Sequence, residues 1–197
     1  MLKIDNRLES SCGDGVITTQ LEFHLEKGGA IPTSPLQFSF EVIKAISACE
    51  LNAKWHSRFP NIHWSNVVRN KHYICYVAKF EGEFFAVAIW SSPIAANRLK
   101  DGQRLLELRR MAINDQAPKN TASRMLSWMR KDLKKRFPDI LRLISYQDTE
   151  AHYGTIYKAS GWHVANEPVV MDWNTSKRKR NAAQSSAPKI RWEISLA

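Results

Sequence analysis

Residues 145–162 read SYQDTEAHYGTIYKASGW, and this stretch decides which fold the chain is expected to adopt. A β-prone run at residues 141–146 leads into it and ends in a polar turn. A helix is predicted from Ala151 to Ser160, because Gly161 can enter the left-handed conformation that commonly ends a helix. The stretch therefore predicts a strand, a turn and a helix in direct succession.

Three side chains in this stretch carry groups that catalysis can use. Asp148 lies just after the predicted strand, His152 lies in the first turn of the predicted helix, and Tyr157 lies further along it. In open α/β sheets, functional groups collect at the carboxyl edge of the strands. Taken alone, the local pattern favours structural roles, with Asp148 as a helix-capping residue and Tyr157 as a core residue whose hydroxyl group is satisfied.

Further strands and helices are predicted on both sides of this stretch. Apolar residues recur at helical spacing in two segments, and β-prone runs are bounded by turn residues in the others. The polar connection at 94–103 is free to approach a substrate. The predicted strands are 36–40, 72–79, 84–90, 105–113, 163–170, 171–173 and 190–194, and the predicted helices are 42–55 and 121–136.

The strand predicted at 105–113 carries a carboxylate and two arginines. Strict alternation places Glu107 and Arg109 on one face and Arg110 on the other. A direct ion pair between Glu107 and Arg110 therefore requires a β-bulge between them. A structural role for this pair, with one member beneath a helix, is the simpler interpretation.

Length and composition indicate one domain with extensions. The chain has 197 residues, of which 44% are hydrophobic, enough for one buried core. We divide it into an N-terminal extension at 1–35 that is compatible with a hairpin, a central domain at 36–175, and a basic segment with a final strand at 176–197. No apolar run approaches the roughly 20 residues that span a bilayer, and residues 1–11 lack the apolar core of a signal peptide. The three cysteines lack CxxC spacing, which argues against a zinc cluster or a disulfide framework.

The charge balance points to a polyanionic partner. The formal net charge is +10, and a basic surface raises the local concentration of nucleic acid. Composition alone equally admits a soluble basic protein without such a partner. The clustered cations are Lys131, Lys134, Lys135 and Arg136 at the end of the second helix, and Lys177, Arg178, Lys179 and Arg180 in a segment that a solvated tail would also explain.

Three blocks of sequence together resemble one known family. The blocks are YQDTEAHYGTIYKASGW at 146–162, LELRRM at 106–111 and APKNTAS at 117–123. They resemble the phage Mom DNA-modification family, and the resemblance covers Phe38 to about Val170. It implies a GNAT-like α/β acyltransferase fold, in which helices flank a central mixed β-sheet. It also implies a cytoplasmic enzyme of phage-infected or lysogenic bacteria that modifies adenine at N6 in double-stranded DNA and so protects the DNA from restriction.

The resemblance also implies roles for individual residues. Asp148 would remove a proton from the adenine amino group, because an exocyclic amine is a poor nucleophile. Tyr157 would donate a hydrogen bond or a proton to the acyl carbonyl or the leaving group. His56, in the segment WHSRFP at 55–60, matches a similar aromatic and histidine segment of the family. The residues implied to bind substrate are Glu107, Arg110, Tyr146 and Thr155.

Two cofactors are compatible with the resemblance. An iron ion would take His56, Asp148 and His152, since two histidines and a carboxylate form a recurring iron site. An acyl-CoA-type donor would place its pyrophosphate at the start of the helix 121–136, where the helix end favours an anion. Acetyltransferases normally have closely spaced glycines there, and this chain has none. The residues available are Lys119, Asn120, Thr121 and Ser123, which are equally compatible with a plain helix cap provided by Asn120 or Thr121.

An enzyme that modifies an amino group within a duplex must extrude the base. Trp64, Trp90 and Trp162 are candidates to stack on it, with burial in the core as the alternative. Two other functions stay open at this point. One is a conventional acyl-CoA N-acyltransferase acting on protein, RNA or a small amine, and the other is a catalytically inactive DNA-binding protein. A homodimer is also left open.

Overall fold

The computed structural model describes residues 30–95, 98–99, 104–166 and 188–196. The extension up to residue 29, the strand predicted at 171–173 and the basic run at 177–180 lie outside the described residues.

The described residues form seven β-strands and four α-helices. Its strands are β1 (Ser39–Val42), β2 (Tyr73–Phe80), β3 (Glu83–Ser91), β4 (Leu105–Ile113), β5 (Arg142–Asp148), β6 (His163–Asn166) and β7 (Lys189–Ser195). Its helices are α1 (Ala45–Trp55), α2 (Ser65–Val68), α3 (Thr121–Arg136) and α4 (Thr155–Ala159). None of these described helices has both the length and the apolar character that a membrane crossing requires.

The seven described strands form one mixed sheet in the order β1-β2-β3-β4-β5-β7-β6. Strands β1 to β4 pair antiparallel, β4 and β5 pair parallel, and β7 inserts antiparallel between β5 and β6. The parallel pairing is short, since it joins only residues 105–108 to 142–145. Beyond it, β4 stays paired with β3 and β5 stays paired with β7, so a gap opens between β4 and β5.

A hydrophobic core covers each face of the sheet. On the α3 face, Trp90, Leu106 and Leu143 pack against Met125 and Met129 of α3. On the α1 face, a second core combines side chains of α1 and α2 with those of β2 and β3; its fully buried members include Ala48, Leu51, Val67, Val87 and Ile89. The predicted mixed sheet with flanking helices is therefore confirmed.

The segment after β5 differs from the prediction. The helix α4 begins at Thr155 rather than Ala151; residues 149–151 form a turn, and residues 152–154 belong to no helix or strand. The side-chain amide of Gln147 donates a hydrogen bond to the carbonyl of His152. Gly154 then has a φ of +71°, which is left-handed. His152 consequently lies before the helix and not in its first turn.

Replacing Gly154 with alanine is expected to destabilise the fold by roughly 3 kcal/mol or more, through left-handed strain and overpacking. A Cβ at this position would lie 2.5 Å from Gln147 Oε1 and 2.6 Å from Trp192 Cζ2. Gly82 is the matched control, because its φ is +89° but a Cβ there would meet nothing within 4 Å. Urea unfolding should show a loss of only about 1 kcal/mol for Gly82→Ala. Equal losses in the two variants would contradict the crowding argument.

Candidate active site

Polar side chains gather on the α1 face, where β4 and β5 separate. Leu143 packs on the α3 face, so alternation along β5 places Tyr146 and Asp148 on the α1 face. Residues from three other parts of the chain approach them. We call this group the polar cluster; its members are His56, Phe59, Arg98, Glu107, Arg110, Tyr146 and Asp148.

A β-bulge in β4 brings Glu107 and Arg110 to the same face. Arg110 is the partner of Ile89 in β3, whereas the next residue of β3, Trp90, is the partner of Leu108. Arg109 is therefore the extra residue. The bulge that a Glu107–Arg110 association requires is present, and the prediction that Arg110 lies on the opposite face from Glu107 is wrong.

The Glu107 carboxylate is buried among cations. It accepts a hydrogen bond from the backbone N–H of Ile94. The nearby positive charges of Arg109, Arg110 and Arg98 each act to lower its pKa. Burial raises the pKa of Glu107, and the three guanidinium groups and the backbone hydrogen bond only partly oppose this shift. Burial likewise lowers the pKa of Arg109 and of Arg110. Desolvation is therefore the dominant electrostatic effect at this end of the cluster.

Arg98 connects the loop after β3 to the cluster. Its Nε donates a hydrogen bond to the hydroxyl oxygen of Tyr146 at 3.0 Å. The sequence predicts that this loop can approach a substrate, but nothing in its pattern distinguishes Arg98.

A buried asparagine holds the segment that follows α1. Asn52 is fully buried, and its Nδ2 donates hydrogen bonds to the carbonyls of Phe59 at 3.0 Å and Pro60 at 2.9 Å. The guanidinium carbon of Arg110 lies 5.1 Å from the centre of the Phe59 ring, and Lys189 Nζ lies 5.4 Å from it. Phe59 therefore joins the end of α1 to β4 and β7 through cation–π contacts.

His56 packs beside Phe59, with 5.9 Å between ring centres. Its Nδ1 accepts hydrogen bonds from the backbone N–H groups of Arg58 at 3.3 Å and Phe59 at 3.2 Å. Burial, then the charges of Arg110 and His152, lower the pKa of His56 to about 4. The imidazole is therefore neutral at physiological pH.

Tyr157 lies on the other side of the gap. Its hydroxyl group is hydrogen-bonded to Ser145 Oγ at 2.8 Å within the α3 face, and its ring stacks on Trp192 at 5.3 Å. Burial raises the pKa of Tyr157, so the hydroxyl group stays protonated. Ser145 is the last residue of β5 that pairs with β4. Asp148 and Tyr157 therefore approach the gap from opposite faces rather than side by side.

Comparison with known proteins agrees with this architecture. The sequence profile of the Mom protein family matches residues 38–193. The chain belongs to the Mom family. It matches no curated protein.

Solved structures of N-acetyltransferases share the fold of this Mom-family chain. The ribosomal-protein-S18-alanine N-acetyltransferase from Escherichia coli has a TM-score of 0.57 at 13% identity, over 81% of this chain and 94% of that chain. The spermidine N-acetyltransferase from Vibrio cholerae, in complex with CoA and spermine, has a TM-score of 0.56 at 9% identity, over 82% of this chain and 96% of that chain. At such identities the likeness establishes the GNAT fold.

The start of α3 in this Mom-family chain fits an anionic group. Asn120 has a φ of 69°, a left-handed conformation that asparagine tolerates better than most residues. Its side chain caps no N–H group, and Thr121 Oγ1 donates to the carbonyl of Pro118 at 2.7 Å. The predicted side-chain cap is therefore wrong. The N–H groups of Ala122 and Ser123 have no acceptor among the described residues, so they and Lys119 are available to the pyrophosphate of an acyl-CoA-type donor.

The predicted iron ligands do not form one site. Within the described ranges, no three His, Cys, Asp or Glu side chains lie close enough together to hold a metal ion. His152 is exposed, and Asp148 Oδ1 accepts a hydrogen bond from the Glu150 N–H at 3.1 Å. Nδ1 of His56 faces backbone N–H groups. The prediction that His56, Asp148 and His152 bind iron together is therefore wrong.

The predicted nucleic-acid contacts are distributed over the molecule. Trp90 and Trp162 are buried and stack on each other at 6.3 Å, so their assignment as base-stacking residues is wrong. Trp64 packs partly buried against the core of the α1 face. Thr155 is exposed at the first position of α4. The basic end of α3 (Lys131, Lys134, Lys135 and Arg136) lies on the face opposite the polar cluster, near the amino end of β5.

An exposed aromatic residue lies in the turn after β5, and sequence reasoning did not single it out. Tyr153 is 92% exposed, in the turn between β5 and α4. The turn is held by Gln147, whose Oε1 also accepts a hydrogen bond from Trp192 Nε1 at 2.7 Å. Tyr153 therefore projects from a braced turn. Tyr153 stands between His152 and Gly154 of the family motif, and no sequence pattern distinguishes it from them.

Replacing Glu107 with glutamine is expected to change the pH dependence of stability in a defined direction. The raised pKa in the folded state means that the unfolded chain loses this proton first as the pH rises above 4.5. The wild-type protein should therefore lose stability relative to the Glu107→Gln variant from pH 4.5 upward. Urea unfolding of both proteins from pH 4 to 8 measures this difference. A wild-type advantage that grows with pH would show that attraction to the arginines outweighs burial.

Proposed function

We propose that this protein is a Mom-type transferase that modifies adenine at N6 in double-stranded DNA, with a carbamoylmethyl or related acyl-type group. The observation that carries the proposal is the pairing of functional groups across one gap in a GNAT-fold sheet. Asp148 and the polar cluster approach the gap from the α1 face, and the protonated hydroxyl of Tyr157 approaches it from the α3 face. Membership of the Mom family supports DNA as the substrate.

The side chains can perform the proton transfers that N-modification needs. Asp148 accepts the proton that leaves the adenine amino group when its nitrogen attacks. Tyr157 holds a proton that it can donate to the departing group, because its raised pKa keeps it protonated. For an acyl-type group, an acyl-CoA-type donor bound at the start of α3 would supply the activated acyl carbon, and its thiol would be the departing group. Glu107, Arg110 and Tyr146 orient the substrate from β4 and β5.

Cations on the same face support a duplex partner. Arg58 is exposed two residues after His56, and Arg69 is exposed directly after α2. Arg110 and Lys189 add charge at the Phe59 ring. Lysine and arginine side chains hold phosphate groups without reading sequence, so this face can position a duplex while one base is extruded towards the gap.

The deciding experiment is a nucleoside analysis of DNA from cells that express the protein. Intact-mass chromatography should show a new adenosine species, whose mass identifies the transferred group. Asp148→Asn should reduce it by ~100-fold or more, as expected for loss of a general base. Asp139→Asn is the matched control, because Asp139 is exposed just beyond α3. An unchanged nucleoside profile with folded, abundant protein would contradict the proposal.

A conventional acyl-CoA N-acyltransferase is the second candidate function. The left-handed turn at Asn120 and the open N–H groups after it favour this reading, since they offer the anion site that glycines provide elsewhere. Calorimetric binding of acetyl-CoA, together with unmodified DNA, would select it. A catalytically inactive DNA-binding protein would instead bind duplex with a steep salt dependence, and Asp148→Asn would not change its function.

Tyr153 is expected to stack on a nucleobase at the edge of the gap. Base stacking on an aromatic side chain contributes about 1–3 kcal/mol, so Tyr153→Ala should weaken duplex binding by roughly 5- to 150-fold. Tyr153→Phe should retain most of the affinity, because the ring persists. Leu141→Ala is the control, since Leu141 is 42% exposed at the opposite end of β5. Fluorescence anisotropy with a labelled duplex measures these affinities, and equal binding by Tyr153→Ala and the wild type would contradict the assignment.

A further inference from the structure

We propose that His56 acts only as a hydrogen-bond donor through Nε2–H, directed at an electron-rich oxygen of the substrate. It acts neither as a general base nor as a metal ligand through that nitrogen. The identity of the substrate rests on the proposed function, whereas the donor character rests on the hydrogen bonds of the ring itself.

The backbone determines which ring nitrogen carries the proton. Nδ1 accepts hydrogen bonds from the N–H groups of Arg58 and Phe59. A backbone N–H can only donate, so Nδ1 must present its lone pair. A neutral imidazole has one ring proton, which then resides on Nε2. Rotating the ring by 180° would place a carbon against both N–H groups and lose both hydrogen bonds.

The segment that fixes this tautomer is itself held in place. Asn52, fully buried in α1, donates to the carbonyls of Phe59 and Pro60. The Phe59 ring packs against His56 and lies beneath the Arg110 guanidinium group. The N–H groups that face Nδ1 therefore belong to a segment that Asn52 holds in place. The backbone of this segment fixes the tautomer in which Nε2 carries the proton.

The charges around the ring keep it neutral. Arg110 from β4 and His152 from the turn after β5 both oppose a second positive charge, and partial burial acts in the same direction. These are the charged groups that lower its pKa. His56 therefore presents a neutral N–H at physiological pH, and Nε2 makes no hydrogen bond with any described residue.

A neutral N–H beside a guanidinium group suits an oxygen acceptor. Two oxygens of the proposed reaction have this chemistry: the carbonyl of the transferred group and a phosphate of the DNA. A donor aimed at an oxygen that gains charge in the transition state accelerates the reaction by about 10²–10³-fold. A donor to a phosphate would instead contribute to DNA affinity.

The tautomer can be read directly by two-bond ¹H–¹⁵N correlation spectra of ¹⁵N-histidine-labelled full-length protein at pH 7. The protein has six histidines, and the signals that disappear in His56→Gln assign this one. His163→Gln is the control, because His163 is exposed on β6. We expect a protonated Nε2 and an unprotonated Nδ1, both unshifted when Zn²⁺ is added as a metal probe. A protonated Nδ1, or zinc bound at Nε2, would overturn the proposal whether or not the protein modifies DNA.

Two isosteric variants test the donor role in the reaction. The side-chain amide of glutamine places an N–H near the position of Nε2, whereas that of asparagine reaches only the position of Nδ1. His56→Gln should retain activity within about 10-fold of wild type, and His56→Asn should lose about 100-fold. Equal losses would overturn the donor role.

The same variants identify the oxygen. A loss in kcat with unchanged duplex affinity assigns the carbonyl, and a loss of affinity with a smaller salt dependence assigns the phosphate. A wild-type protein that modifies no DNA would contradict the proposed function, and the spectra would still decide the tautomer.

Discussion

The separation of β4 from β5 is the constraint on which the rest of the site depends. The two strands pair only as far as Leu108 and Ser145, and each then continues with a different neighbour. The sheet therefore opens between the carboxyl ends of β4 and β5, while each strand stays hydrogen-bonded to its other neighbour. Beyond this point Asp148 lies on the α1 face of the sheet, whereas the buried Tyr157 hydroxyl group is hydrogen-bonded to Ser145 on the α3 face. The bulge at Arg109 lies where the separation begins, and it turns Arg110 towards the polar cluster.

Burying the charged groups of the polar cluster is unfavourable, because these groups lose their hydration. Glu107 is one buried carboxylate among three guanidinium groups, and burial still determines the direction of its pKa shift. Nε of Arg109 and of Arg110 is buried without a hydrogen-bond partner in the described chain. Unsatisfied buried polar atoms are unfavourable by about 1–3 kcal/mol each, and natural proteins retain such costs chiefly at functional sites. An oxygen-rich ligand would supply the missing acceptors, which agrees with a phosphate-bearing substrate.

Local patterns predicted the elements well, and tertiary contacts determined the site. The bounds of β4 and α3 matched the sequence prediction, because long β-prone and amphipathic runs are strong local signals. The predicted helical position of His152 was wrong: the left-handed Gly154 precedes the helix, and the carbonyl of His152 accepts a hydrogen bond from the Gln147 side chain. The face of Arg110 was wrong because alternation cannot reveal a bulge. The hydrogen bonds from Asn52 to the carbonyls of Phe59 and Pro60 could not be predicted, because no periodic sequence pattern links these residues.

Net charge predicts a polyanionic partner, but it does not indicate where on the molecule such a partner would make contact. A helix of 16 residues is about 24 Å long, and α3 runs from the carboxyl edge of β4 back to the amino edge of β5. Its basic last turn is thus separated from the polar cluster by the length of the helix and by the sheet itself. Those lysines can attract a polyanion over a distance in a salt-dependent way, but they do not form one surface with Asp148. Under the proposed function, the cations that hold the duplex at the gap would be those of the α1 face, where Arg58 and Arg69 are exposed.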